Sequence, residues 1–162
     1  MTVTGEGFMK SLTAVFVITA ALCCDAAQAQ APADNEPQYL SHDEITKLIK
    51  ADPSGLYSQV MLSRAGGLVM ITTREKSGEG ESHDNWNDFI IVQEGEATFT
   101  LGGTLTGVRD VGPGEKRSTG ITGGKVVTLR PGDYIFAPAN TAHRMEVPPG
   151  GKIRYIVFKT RK

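Results

Sequence analysis

The sequence predicts a small all-β barrel preceded by one short helix, and three features predict it. Of the 19 glycines among 162 residues, eleven fall in pairs or beside proline, as in Gly66-Gly67, Gly102-Gly103, Gly112-Pro113-Gly114, Gly123-Gly124 and Pro148-Pro149-Gly150-Gly151. That spacing suits tight turns between short strands. Between the turns lie short apolar runs rich in Val, Ile, Thr and aromatic residues. No long helical period interrupts them after residue 55. At 162 residues with 40% apolar and 7% aromatic composition, one core and one domain are expected.

Taken in order, Ser11 to Leu22 is an uncharged apolar run, preceded by Lys10 and followed by Ala27-Gln28-Ala29. This has the form of a secretory signal with cleavage after Ala29, and the run is short for a transmembrane anchor. Residues 1–29 are read as a signal peptide and the mature protein as periplasmic or secreted. Met9-Lys10 makes a more conventional signal start than Met1. Cys23 and Cys24 both lie in this segment, so the mature chain has neither a disulfide nor a thiolate ligand. Leu22 is too large for the position before a lipidated Cys23.

Residues 30–54 are read as a linker and a short helix. Ser41-His42-Asp43-Glu44 has the form of a capping box, and Ile45, Leu48 and Ile49 follow at helical spacing, predicting a helix over 42–51 with its apolar stripe on the barrel. The barrel domain is assigned to residues 55–162, with strands expected at 57–63, 68–73, 88–92, 97–101, 125–129, 133–138, 143–147 and 153–159. Ala97, Phe99 and Leu101 should share one face, with Thr98 and Thr100 on the other. Residues 153–158 read as covered on both sides, and Tyr134 and Phe136 as core aromatics. The polar, glycine-rich segment 103–124 reads as an excursion between two halves of the barrel.

Lys and Arg number 17 against 18 Asp and Glu; without Lys10, Glu6 and Asp25, 16 of each remain. No single-sign field gathers phosphate backbones or anionic lipid, so neither nucleic acid nor, after signal removal, a membrane is an expected partner. Glu115 to Arg117 and Lys159 to Lys162 read as solvated charge runs. No Gly-x-Ser-x-Gly elbow occurs, and Gly102-Gly103 and Gly123-Gly124 do not open helices, so neither acyl transfer nor a phosphate loop is supported.

Two of the three histidines sit in segments of matching form. One runs Glu81-Ser82-His83-Asp84-Asn85-Trp86-Asn87-Asp88 to Gly95, the other from Pro131-Gly132 through Pro138-Ala139-Asn140 to His143. On a strand Glu81 and His83 point the same way, and His143 on another strand can face them. Imidazole with carboxylate is a ligand set for Fe(II), Mn(II), Zn(II) or Ni(II), and two His with one carboxylate leaves positions open. Ca(II), which wants six or more oxygens, is disfavoured. His42, near a helix start, carries no such pattern. Trp86 either lines the mouth of the barrel or closes its end.

These segments resemble the paired motifs of the cupin superfamily over about residues 75–147. Gly95 takes the closing glycine of the first motif, Asp88 the glutamate position, His83 the second histidine and Glu81 the first. Gly132, Pro138 and His143 take the glycine, proline and histidine of the second, and Asn140 stands where glycine is usual, a sensible substitute at positive φ. Glu75 replaces the leading glycine and Val147 the final asparagine. The resemblance implies a double-stranded β-helix with a ligand pocket at its mouth, and dimers through strand exchange or sheet packing. The departures exclude the family's three-His, one-Glu set. His83, His143, Asp88 and Glu81 are left as candidate ligands of a divalent transition metal, with Asp88 one methylene shorter than the usual glutamate. The function expected is a metal-dependent enzyme acting on a small polar molecule, of oxygenase or of isomerase or lyase type; the alternative is a non-enzymatic module binding a small ligand.

Overall fold

The computed structural model describes residues 37–162. The expected signal segment and its cleavage point lie outside the described residues. Helix α1 spans His42–Leu48 and opens with the expected capping box: Ser41 Oγ accepts from the Glu44 N–H, and the Glu44 carboxylate accepts from the Ser41 N–H. It stops three residues before position 51. Ile49 is already extended, and the Tyr57 hydroxyl donates to the Leu48 carbonyl at 2.7 Å, satisfying one end of the helix from the barrel.

Thirteen strands follow: β1 Leu56–Arg64, β2 Gly67–Arg74, β3 Gly80–His83, β4 Trp86–Gly95, β5 Ala97–Leu101, β6 Thr104–Thr106, β7 Arg109–Gly112, β8 Glu115–Ser118, β9 Gly120–Thr122, β10 Lys125–Leu129, β11 Tyr134–Ala137, β12 His143–Glu146 and β13 Ile153–Arg161. They form a five-stranded sheet in the order β1-β2-β13-β4-β11 and a six-stranded sheet in the order β10-β5-β12-β3-β8-β7, with β6 and β9 paired apart. Every pairing is antiparallel. The all-β architecture with a short leading helix is as expected. Segment 103–124 is more ordered than an excursion, since it supplies four short strands, two of which extend the six-stranded sheet.

The core lies between the sheets around Phe99, Val92, Ile153, Leu129 and Met145. Strand period decides its membership. On β11 the register places Ile135 and Ala137 inward, so Tyr134 and Phe136 face out, 57% and 41% exposed, and Phe136 stacks on Phe89 at 4.6 Å. They are not core aromatics. On β13 the inward set is Ile153, Tyr155 and Val157; Arg154 is buried on the outer face beside α1, but Phe158 is 39% exposed, so the outer side is covered only at one end. Ala97 and Phe99 are buried as expected, yet Thr100 is buried too, at 8%.

Gly95 closes β4 with φ +79°, opposite Ile153, and an added Cβ would run into the Lys152 carbonyl. Backbone supplies the obstacle, so no side chain can move aside. Gly95→Ala is expected to cost about 2–3 kcal/mol from positive φ and that collision, measured as a shift in the urea midpoint with unchanged slope.

Candidate metal centre

Two adjacent strands of the six-stranded sheet and their turns assemble the site. Glu81 and His83 occupy alternate positions on β3, His143 opens β12, and the register sets His143 directly across from Glu81. The turn before β12 is fixed by Asn140, whose φ of +67° is the only positive value at a non-glycine among the described residues. Its N–H donates to the His83 carbonyl at 2.8 Å, tying the two histidine-bearing strands together. Asn at the glycine position thus serves the geometry for which it is suited.

The two imidazoles are 3% and 6% exposed, with ring centroids 5.3 Å apart. Their outward nitrogens are engaged by the protein: His143 Nδ1 bonds the Thr141 carbonyl at 3.0 Å, and His83 Nδ1 bonds the Glu115 carboxylate at 2.6 Å. Because a carbonyl only accepts, Nδ1 of His143 carries the proton and Nε2 presents a lone pair. That Nε2 is buried and has no hydrogen-bond partner; Glu81 Oε1 is 3.6 Å away. Phe99 stacks on the ring at 5.9 Å and fixes its plane. One ligand atom from each of Glu81, His83 and His143 lies within 4.8 Å of the others. Lone pairs converging on a common point, with their remote nitrogens held by a carbonyl and a carboxylate, fit a divalent cation of the imidazole–carboxylate class.

Asp88 faces this group from β4 in the other sheet, its Oδ2 3.4 Å from His83 Nε2 and 3.8 Å from His143 Nε2. Both its oxygens are taken by Lys159 Nζ, at 2.6 and 2.7 Å. The structure therefore brings Glu81, His83 and His143 together, and sets Asp88 beside them in an ion pair.

Neighbouring charges shift three of the site's titratable groups. Burial works against ionising Glu81, but His143, Arg117 and His83 outweigh it and hold the carboxyl down at about 2. Burial also opposes the Asp88 charge, yet His83 and Lys159 bring its carboxyl below the ordinary value. For His83 burial alone would lower the imidazole; Asp88 reverses this and raises it.

Three residues of the site lie in segments that read as solvated. Glu115 and Arg117 alternate on β8, and Arg117 forms an ion pair with Glu81 Oε2 at 3.1 Å. Lys159 is only 14% exposed. A signal for Lys159 exists in the sequence: the inward series Ile153, Tyr155, Val157 continues in steps of two onto it. Trp86 lines the cavity, and the Arg161 guanidinium lies 4.0 Å from its ring centroid.

No protein-family model and no curated protein sequence matches the chain. Solved structures do resemble it. An uncharacterised Klebsiella pneumoniae protein with a double-stranded β-helix domain is 15% identical, with a TM-score of 0.54 over 77% of this chain and 90% of that one. A conserved Streptococcus pyogenes protein of unknown function is 11% identical, with a TM-score of 0.54 over 84% and 97%. A cupin-like protein from Thermotoga maritima is 15% identical, with a TM-score of 0.47 over 65% and 68%. With its two facing antiparallel sheets and its likeness to the Klebsiella pneumoniae domain, the chain has the fold of a double-stranded β-helix.

Proposed function

We propose that this protein is an exported metal-dependent cupin in which Glu81, His83 and His143 hold one divalent transition ion, and that it carries out isomerase- or lyase-type chemistry on a small polar molecule. The observation that carries the reading is the buried His143 Nε2, without a hydrogen-bond partner and aimed at Glu81 and His83. A cavity of about 330 Å³ adjoins the group and is large enough for a small metabolite. Export rests on the composition of residues 1–29.

When bound, such an ion supplies Lewis acidity toward a substrate oxygen. The chain's own groups do the rest. Lys159 spends two donors on Asp88 and keeps a third for a substrate oxygen, where it stabilises developing negative charge. Asp88, held below the usual carboxyl range, is a weak base near neutrality, and its part is to orient Lys159. Glu115 orients His83 through Nδ1. The apolar walls from Met70, Ile90, Phe99 and Val157 exclude water from the polar end.

Elemental analysis of the purified chain offered Fe(II), Mn(II), Ni(II) and Zn(II) in turn is expected to find about one ion per chain. His143→Ala should abolish binding, and Glu115→Gln should weaken it about 10–100-fold by releasing the His83 ring. Wild-type protein that stays metal-free throughout sinks the reading and leaves a module that binds a small ligand without metal.

A further inference from the structure

A second polar cluster lies in the same cavity, away from the histidines. Arg74 closes β2, and its Nε donates to the Tyr155 hydroxyl at 3.1 Å. Tyr155 is 6% exposed, and its own O–H proton has no acceptor among the described residues. Ser58 and Thr72, whose hydroxyls bond each other at 2.9 Å, line the same region.

Arg74 differs from the other cations of the cavity. Arg117 is paired with Glu81 and Glu115, and Lys159 with Asp88. Among the described residues Arg74 has no carboxylate within ion-pair distance and makes a side-chain bond only through Nε. Its Nη1 and Nη2 lie against Gly78, where a Cβ would meet them at 2.8 and 3.1 Å, so glycine leaves room for the guanidinium beside the cavity. The guanidinium therefore offers a planar pair of donors with no protein acceptor, beside a phenol free to donate. Carboxylate geometry matches such a fork in a bidentate way.

The charge balance points the same way. Three carboxylates and three cationic side chains line the cavity with the two histidines. A divalent ion in the histidine group would make the interior net positive and favour an anionic guest. Between the clusters the wall is apolar, formed by Met70, Phe99, Met145 and Val157.

We propose that Arg74 and Tyr155 form an anion subsite that holds a substrate carboxylate, so that the natural substrate is a small organic acid with a short apolar body whose other end reaches Glu81, His83 and His143. The subsite itself stands without metal; the placement of the far end rests on the metal reading above.

Calorimetric titration of the full chain, stripped of metal with a chelator, with hexanoate and with its neutral isostere hexanamide separates the two. Hexanoate should bind at least about tenfold more tightly than hexanamide, as expected when a charged hydrogen-bonded group is lost. Arg74→Met should remove that preference, Arg74→Lys should restore it only in part because the fork is gone, and Tyr155→Phe should weaken hexanoate about tenfold or less. Thermal melts identify any variant that fails to fold, and Arg74→Lys then decides. Equal binding of acid and amide, or hexanoate binding unchanged in folded Arg74→Lys and Tyr155→Phe, overturns the proposal. His143→Ala protein that binds no metal but keeps Arg74-dependent hexanoate binding shows the subsite independent of the metal centre, whereas wild type that takes up none of the Fe(II), Mn(II), Ni(II) or Zn(II) offered to it, yet shows the same preference, refutes the metal reading alone.

Discussion

Asp88→Asn should destabilise the protein by about 3–5 kcal/mol, because it leaves the Lys159 ammonium uncompensated where only 14% of the side chain meets solvent. Asp88 is itself 4% exposed, so bulk solvent does little to replace the lost carboxylate. Asp88→Asn combined with Lys159→Met should recover most of the loss, since removing the ammonium leaves no uncompensated charge in the cavity wall. Urea unfolding of the two single variants and the double variant checks this, and a double variant as unstable as Asp88→Asn would refute it. The acid limb adds a sign. Asp88 and Glu81 both have carboxyls held below their ordinary values, so their stabilisation is present above the unfolded carboxyl range and is lost as pH falls through the folded values, for Glu81 between about 4.5 and about 2. The deficit of Asp88→Asn should therefore narrow as the solution is acidified. In metal-free protein His83 behaves oppositely: its raised value stabilises below the ordinary histidine range, and that share is lost as pH rises through the folded value.

Phe99→Ala is expected to cost about 3–5 kcal/mol through the cavity it leaves, as the ring is 1% exposed at the centre of the core. The substitution reaches the site as well. Without the ring stacked on His143, the imidazole is free to turn about its side-chain torsions, and metal affinity should fall along with stability. Phe99→Leu, which keeps an apolar side chain there, should lose less than about 1.5 kcal/mol. Thermal or urea unfolding paired with metal titration measures both effects. Full stability in Phe99→Ala would show that the sheets close over the gap.

Most of the architecture was readable because its signals are local. Glycine and proline marked the turns, and Ala97-Thr98-Phe99 carried its period on its face. Glu81, His83 and His143 could be brought together because the offsets of Gly95, Gly132 and Pro138 constrain two turns. The reading failed where local character and tertiary position disagree. Tyr134 and Phe136 are large and apolar, yet one residue of register on β11 puts the smaller Ile135 and Ala137 inside. Glu115 and Arg117 are charged and sit in a charged run, so nothing local says that β8 carries them into a cavity, and for Lys159 the step of two along β13 was masked by the charged run that follows it. Arg74 was invisible for the same reason, since its lack of a carboxylate partner is a property of its neighbours in space.

The place of β13 bears on how this protein reaches its folded state. It is the last strand in chain order, yet it lies between β2 and β4 and supplies Tyr155 and Lys159 to the cavity. A nascent chain that has emerged only through β12 therefore has one hairpin and one half-sheet with bare facing edges and nothing to join them. Closure waits on contacts spanning some eighty residues, a topology that folds slowly and as a whole. Binding competence should accordingly arrive in a single late step, with no half-built barrel able to capture its ligand on the way.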